Sequence, residues 1–371
     1  MKITRFGSIA VIALVGVAAL AGCSATPAQT ATPTATTPAV DYSSLSGTIT
    51  AGGSSAQGNA QAAWTSAFVA QATGVTVNYD KSQGSGGGVT NFLAGSYDFA
   101  GSDSPLNADS NTKAATTCGA GGAVNLPIYL DGVAIIFNLP GVTSLKLSAP
   151  TIAKIFNLQI TNWSDAAITK DNGTALAAGP IQTVARSDGS GTTQNFTNYL
   201  AATAPTDWTY PASNKWPVSG NVSAQQGGSG VVNTVKAGSG TIGYADHSAI
   251  GALPSVSVGV GSAGFVAFSA DGAAKAFEVG TTPTPSSYAG DLSQKFDYSK
   301  FTTTDVYPIP LVSYAIVCNV FKNATQGKLT TAYLGFIASS AGQKVAAKNA
   351  GSAPLPQSIL DKVNASLANI K

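Results

Sequence analysis

The sequence predicts an α/β fold of two lobes, built on mainly parallel sheets and joined by two crossings of the chain. Three observations predict it. Apolar stretches of strand length alternate with stretches of helical period, most plainly over residues 45–103 and 181–201. Loops rich in Gly and Ser separate them. Two almost wholly apolar runs, residues 133–137 and 311–317, read as strands on which the chain leaves one lobe and returns to it.

The elements follow in order. Residues 45–51 are a short strand and Gly52-Gly53-Ser54-Ser55 the loop after it. Ala60, Trp64, Ala67, Phe68 and Gln71 then recur at helical spacing, and Gly74 suits the helix stop. Residues 75–79 alternate as a strand. The unit repeats: Gly84-Ser85-Gly86-Gly87-Gly88 leads into a helix carrying Val89, Phe92 and Leu93, and residues 97–103 are a strand running into a loop. Further on, residues 181–185 form a strand and 186–191 a loop. Residues 192–201 form a helix with Phe196, Tyr199 and Leu200 on one side. Lobe 1 is then residues 46–132 with 308–371, and lobe 2 is residues 133–307.

Residues 1–22 read as a signal peptide. Lys2 and Arg5 precede an apolar stretch over residues 9–20 that is too short for a comfortable membrane span. It ends in Leu20-Ala21-Gly22-Cys23, which looks like a bacterial lipobox, in which Cys23 becomes the lipidated first residue; the alternative is a plain secretory signal. Residues 23–45 hold the lipidated Cys and a tether of mostly Ala, Thr and Pro, a composition that cannot bury a core. In an exported chain, Cys118 and Cys318 invite a disulfide, the alternative being two separate buried thiols.

Charge excludes one class of partner. Charged residues are only 10% of the chain, against 44% hydrophobic. Lys2 and Arg5 are the only charges of the first 22 residues, so without them the 19 basic and 17 acidic residues become equal in number. No basic run follows a nucleic-acid backbone. An anion bound here is held by local geometry rather than gathered by net charge.

Four segments carry that geometry: Gly53-Ser54-Ser55-Ala56, Gly84-Ser85-Gly86-Gly87, Ser102-Asp103-Ser104-Pro105 and Arg186-Ser187-Asp188-Gly189-Ser190-Gly191-Thr192. Three of them open a helix after a strand. A helix N-terminus offers unpaired N–H groups and the positive end of a dipole, Gly permits close approach, and Ser or Thr adds a hydroxyl donor. Arg186 supplies a full charge whose planar fork suits two oxygens of a tetrahedral anion. Asp103 suits an anion only if that anion carries a proton. Monohydrogen or dihydrogen phosphate can donate to a carboxylate, whereas sulfate at neutral pH cannot and would face it lone pair to lone pair. The plainer readings are a surface Arg186–Asp188 pair and an Asp103 that caps a helix before Pro105.

Taken together these motifs resemble the phosphate-binding protein of the Pst ABC transporter, the PstS family. The likeness runs from about Thr48 to the C-terminus. It includes Gly53-Ser54-Ser55 with Trp64, the run at 84–88, Asp98-Phe99-Ala100-Gly101-Ser102-Asp103-Ser104-Pro105-Leu106, Ile155-Phe156 with Asn162-Trp163, the 186–192 segment, and Gly240-Thr241-Ile242-Gly243-Tyr244. The resemblance implies two α/β lobes of the periplasmic-binding-protein type (type II solute-binding), closing like a hinged clamp. It implies inorganic phosphate held by Ser55, Ala56, Ser85, Asp103, Arg186, Ser190, Gly191 and Thr192, and delivery to membrane permease subunits of an ABC importer. It implies no cofactor, and a place on the extracytoplasmic face of the membrane, anchored through Cys23. The first loop departs from the family: Ser55-Ala56 stands where Thr-Phe is common, so a bulky wall is lost.

Enzyme chemistry finds little footing. The chain has one His, His247, and one Glu, Glu278. No His/Cys/Asp cluster has metal-ligand spacing, Gly189-Ser190-Gly191 is not a nucleophile elbow, and the Gly-rich loops lack a P-loop Lys. The alternatives that stay open are a binder of another oxyanion, and a phosphatase-like or sensor relative of the same fold.

Overall fold

The computed structural model describes residues 41–371. The expected signal peptide, the lipidated Cys23 and most of the tether lie outside the described residues.

Eight strands form one mixed sheet: β1 (Ser46–Gly53), β2 (Gly74–Asp80), β3 (Phe99–Ser102), β4 (Ala123–Asn138), β5 (Gln182–Arg186), β6 (Val222–Gln225), β7 (Thr241–Asp246) and β8 (Pro310–Cys318). They lie side by side in the order β2-β1-β3-β8-β4-β7-β5-β6. β1 is parallel to β2 and β3, and β5 is parallel to β6 and β7. Between these groups, β8 and β4 run antiparallel to their neighbours. The expected parallel pairing thus holds within each group, where a helix returns the chain between strands. It gives way in the middle, where β4 and β8 carry the chain out and back.

β4 is 16 residues long and buried along nearly all of them. From Ala123 to Gly132 it pairs with β8, and from Val133 to Asn138 with β7. One strand therefore belongs to both groups, and its change of partner falls between Gly132 and Val133. A side chain does not fit at Gly132: a Cβ there would lie 2.6 Å from the Phe268 ring and 2.7 Å from that of Tyr307. The sequence expectation covered only the second half of β4, because Asn125, Pro127 and Asp131 interrupt the apolar run of the first.

Four helices follow the parallel strands: α1 (Gly58–Val69) after β1, α2 (Gly84–Leu93) after β2, α3 (Gly191–Thr203) after β5 and α4 (Gly227–Ala237) after β6. The Gly run at 84–88 is the first turn of α2 itself, not a loop before it. The buried face of α1 meets the C-terminal helices, which return to the first group as the two-crossing topology requires. Phe68 lies 5.1 Å from Tyr333 between ring centres. The Trp64 indole N–H donates to the Gly342 carbonyl at 2.7 Å. On the other side of the crossing, Phe196 packs 4.9 Å from Phe156 and 4.7 Å from Tyr244.

Cys118 closes the helix Ala108–Cys118, and Cys318 is the last residue of β8. A disulfide joins them, with Cα atoms 5.1 Å apart. Asp291 and Leu292, inside the stretch expected to be lobe 2, hydrogen-bond to the first half of β4. Asp291 Oδ1 accepts from the Asn125 N–H at 2.7 Å and from Asn125 Nδ2 at 2.8 Å, and the Leu292 N–H donates to the Asn125 carbonyl at 3.0 Å. Among the described residues, no helix is long and apolar enough to cross a membrane.

Candidate anion-binding site

β1 and β3 run toward the crossing from one side, and β5 and β7 from the other, so the carboxyl ends of the two groups face each other across it. That is where an open α/β sheet gathers its ligand-facing loops. Ser54, Ser55 and Ala56 follow β1, Asp103 follows β3, and Arg186 ends β5. α1, α2, α3 and α4 all open into the same region, with first-turn N–H groups that find no partner within their own helix.

Short contacts tie these ends together. The Gly86 N–H donates to the Gly189 carbonyl at 2.8 Å. The Asp103 N–H donates to Ser85 Oγ at 3.2 Å, and Asn195 Nδ2 donates to the Asp103 carbonyl at 2.6 Å. At the far end, the Gly228 N–H donates to Ser55 Oγ at 3.2 Å. Gly84 has φ +63°, and a Cβ on it would run into the Asp188 carboxylate and lie 3.2 Å from Arg186 Nη2.

The Arg186 and Asp188 side chains are only 2% and 7% exposed, so their pair is a buried one rather than a surface one. Arg186 Nε donates to Asp188 Oδ1 at 2.7 Å and Nη2 to Oδ2 at 2.5 Å. Asp188 Oδ1 also accepts the Gly227 N–H at 3.1 Å. Burial alone would raise the Asp188 carboxyl, but the hydrogen bonds and charge of Arg186, with the Gly227 N–H, hold it below its ordinary value. One edge of the guanidinium fork is thus engaged by Asp188, which fixes its plane.

Asp103 is not a helix cap. Asn107 caps the helix Ala108–Cys118, its Oδ1 accepting the Ser110 N–H at 2.8 Å. Asp103 is buried, and three hydroxyls donate to it: Ser54 and Ser313 to Oδ1, the latter at 2.7 Å, and Thr192 to Oδ2 at 3.0 Å. Burial raises its carboxyl above the ordinary range, against the pull of Ser54, Ser313, Thr192 and the Arg186 charge. Ser190 caps α3, its Oγ accepting the Thr193 N–H at 3.1 Å. The Ala56 N–H donates to Ser54 Oγ at 3.1 Å. Ser85, Asp103, Gly191 and Thr192 therefore touch one another directly. Ser55 and Ala56 sit at the start of α1 beside α4, and Arg186 sits beside Gly84.

Sequence reasoning missed three contributors. Gly227 and Gly228 open α4 in a Gly/Ser run after a strand, the same signal that marked the other loops. Ser313 is the one serine or threonine within the apolar run at 311–317. It lies where the β8–β4 register slips, since Ser313 faces Tyr129 while Tyr314 faces Pro127. Such a bulge re-aims side chains, and Pro127 has no ladder N–H to lose. The third is a pair of buried acids at the crossing. Asp131 Oδ2 accepts from the Tyr129 hydroxyl at 2.9 Å and the Ser248 N–H at 3.1 Å, and Ser248 Oγ donates to Asp246 Oδ2 at 2.5 Å. Burial pushes the Asp246 carboxyl up to about 7, and burial together with the Asp246 charge pushes Asp131 well up. The ring of His247 stacks on Phe268 at 3.9 Å. Among the described residues, no group of three or more His, Cys, Asp or Glu could hold a metal ion.

The family model described as a PBP superfamily domain matches residues 28–341. Phosphate-binding protein PstS 3 of Mycobacterium leprae (strain TN) is 33% identical over 322 residues, covering 85% of each chain. Phosphate-binding protein PstS 2 of Mycobacterium tuberculosis (strain ATCC 25618 / H37Rv) is 35% identical over 323 residues, again 85% of each. Among solved structures, a phosphate-binding protein from Stenotrophomonas maltophilia superposes with a TM-score of 0.67 at 23% identity, covering 86% of this chain and 94% of that one; this likeness is one of fold. With these relatives and with the strand ends and helix N-termini arranged as described, the chain belongs to the PBP superfamily and, within it, to the family of the PstS phosphate-binding proteins.

Proposed function

We propose that this protein binds inorganic phosphate outside the cytoplasm and delivers it to the permease subunits of an ABC importer. The observation that carries the reading is the meeting of four helix N-termini around Arg186 and Asp103. Such a site neutralises an oxyanion with N–H dipoles and one guanidinium, and offers one acceptor to a protonated oxygen. Ser55, the Ala56 N–H, Ser85 and Asp103 contact the anion from one side of the crossing. Arg186, Ser190, Gly191 and Thr192 contact it from the other. The lobes are residues 46–132 with 308–371, and 133–307, with Asp291 and Leu292 bonded back to the first. An anion bridging both lobes favours the closed arrangement, which the importer recognises. The chain reaches the membrane through a lipid on Cys23, as the Leu20-Ala21-Gly22-Cys23 motif supports. No covalent bond is made or broken, in keeping with a family of binding proteins.

Calorimetric titration tests this. Protein stripped of bound anion should bind phosphate tightly and sulfate negligibly, and Arg186→Ala should lose the phosphate signal. Equal binding of both anions, or of neither, overturns the reading.

A further inference from the structure

We propose that Ser313 and Gln57 are positioning residues that fix the direction of the hydrogen bonds around Asp103, so that its Oδ1 can only accept and any proton is confined to Oδ2. The inference rests on the reading of Asp103 as the acceptor for a protonated anion, and deepens it.

The direction follows from donors that cannot reverse. Gln57 Nε2 donates to the Tyr314 carbonyl at 3.0 Å, and a backbone carbonyl can only accept. This settles which end of the Gln57 amide is nitrogen. The same Nε2 is 2.7 Å from Ser313 Oγ, so Ser313 must accept there. Its only hydrogen is then left for Asp103 Oδ1, 2.7 Å away. Ser54 is constrained alike. Its Oγ accepts the Gln57 N–H at 3.4 Å and, until an anion takes it, the Ala56 N–H at 3.1 Å, so its hydrogen also goes to Asp103 Oδ1. Two hydroxyls are forced to donate to one oxygen, and that oxygen has no room for a proton.

The arrangement is anchored from behind. Gln57 Oε1 accepts from Gln61 Nε2 at 2.8 Å, and Gln61 Oε1 accepts from the Tyr333 hydroxyl at 2.9 Å. Gln57, Gln61 and Ser313 are all essentially fully buried, so water does not compete for these bonds. Oδ2 is free of this constraint. Its partner is Thr192, whose hydroxyl can turn to donate or to accept. Asp103 is thus polarised. One oxygen is tied to β8 and α1, and the other is presented toward α3 as the atom that takes a hydrogen bond from the ligand. Held this way, Asp103 favours an anion with a proton to give and disfavours one without.

The test uses the full chain and the variants Ser313→Ala, Ser313→Thr and Gln57→Leu. Gln57→Leu leaves Ser313 beside Asp103 but frees it to turn. Two quantities are measured. The first is the ratio of phosphate to sulfate affinity. The second is the titration of the Asp103 carboxyl by carbon NMR in protein stripped of anion, which needs no phosphate. Arg186 and Asp246 also act on Asp103 through their charges, and Tyr79 lies within reach of it, so these are left unaltered. Ser313→Ala should weaken phosphate binding roughly tenfold or more while leaving sulfate unweakened, and should move the Asp103 titration to higher pH. Gln57→Leu should move both the same way, and Ser313→Thr should restore both. If either Ser313→Ala or Gln57→Leu, folded as judged by circular dichroism, leaves the titration unmoved and weakens both anions alike or neither, the lock is wrong. If the titration moves as expected but the unaltered protein does not prefer phosphate, the lock stands and the proposed ligand falls.

Discussion

Gly191 and Asp103 approach so closely that a Cβ on Gly191 would lie 2.7 Å from the Cβ of Asp103 and 2.8 Å from its backbone nitrogen. The same Cβ would be 2.8 Å from Ser85 Oγ. The first turn of α3 and the end of β3 meet only because residue 191 has no side chain. Gly191→Ala should therefore hold the two loop sets apart while leaving each folded. The expected result is a loss of phosphate affinity of about tenfold or more with a small change in melting temperature, read by calorimetry and thermal unfolding.

Asp188 and Arg186 form the buried ion pair of the site. Removing one member leaves the other charged and unpaired, a loss of roughly 3–5 kcal/mol. Asp188→Ala should lower the unfolding free energy by that amount, seen as a lower denaturant midpoint, and weaken phosphate binding, because the guanidinium plane is no longer held. Asp188→Asn should lose less, since the amide oxygen can still accept from Arg186. Equal midpoints for the two variants would show that the pairing does not set the stability.

The loops around this pair were legible because their signal is local. A strand, a Gly/Ser run and a helix in succession place N–H groups at a strand end whatever the rest of the chain does. That pattern marks the segments at 53–56, 84–87 and 186–192, which lie at the strand ends and helix starts described above; the roles of single residues within them come from the family resemblance. Ser313 lies outside that pattern, because its role comes from a register slip between strands more than 180 positions apart in sequence, which no window along the chain contains. The antiparallel pair β4–β8 was only half visible for a related reason. Asn125 and Asp131 look like breaks in a strand until Asp291, Tyr129 and Ser248 supply their hydrogen bonds. The engagement of Arg186 by Asp188 also depends on burial, which two charged residues side by side in a polar loop do not announce.

Asp246 makes stability fall with rising pH. Burial pushes its carboxyl up to about 7 against an ordinary 3.8, so over that window the folded state should hold a proton that the unfolded state has released. The stabilisation is complete below the lower value and is lost as pH rises through the upper one. From about pH 5 to about pH 8 the unfolding free energy should drop by about 2–3 kcal/mol. Asp246→Asn should flatten that dependence without abolishing it, because Asp131 is raised in the same direction. Denaturant midpoints across the range check it, and a variant with the same slope as the unaltered protein would remove Asp246 from the account.

The disulfide between Cys118 and Cys318 closes a loop of 200 residues. Replacing both with Ala should lower the unfolding free energy by about 2–5 kcal/mol, since the unfolded chain regains the freedom the bridge denies it. Phosphate affinity should hold, as neither Cys touches the site loops. Denaturation under non-reducing and reducing conditions gives the comparison.

The continuity of β4 limits how the protein can change shape. Its 16 residues run unbroken from one parallel group to the other, with β8 alongside only as far as Gly132. A displacement of one group against the other must be taken up as flexing of the backbone near Gly132 and near the start of β8, with the ladders on both sides intact. Two adjacent strands resist sliding and separation far more than they resist bending together. Any displacement of the groups would then be confined to something close to a single degree of freedom, which would return loops set far apart in sequence to one alignment.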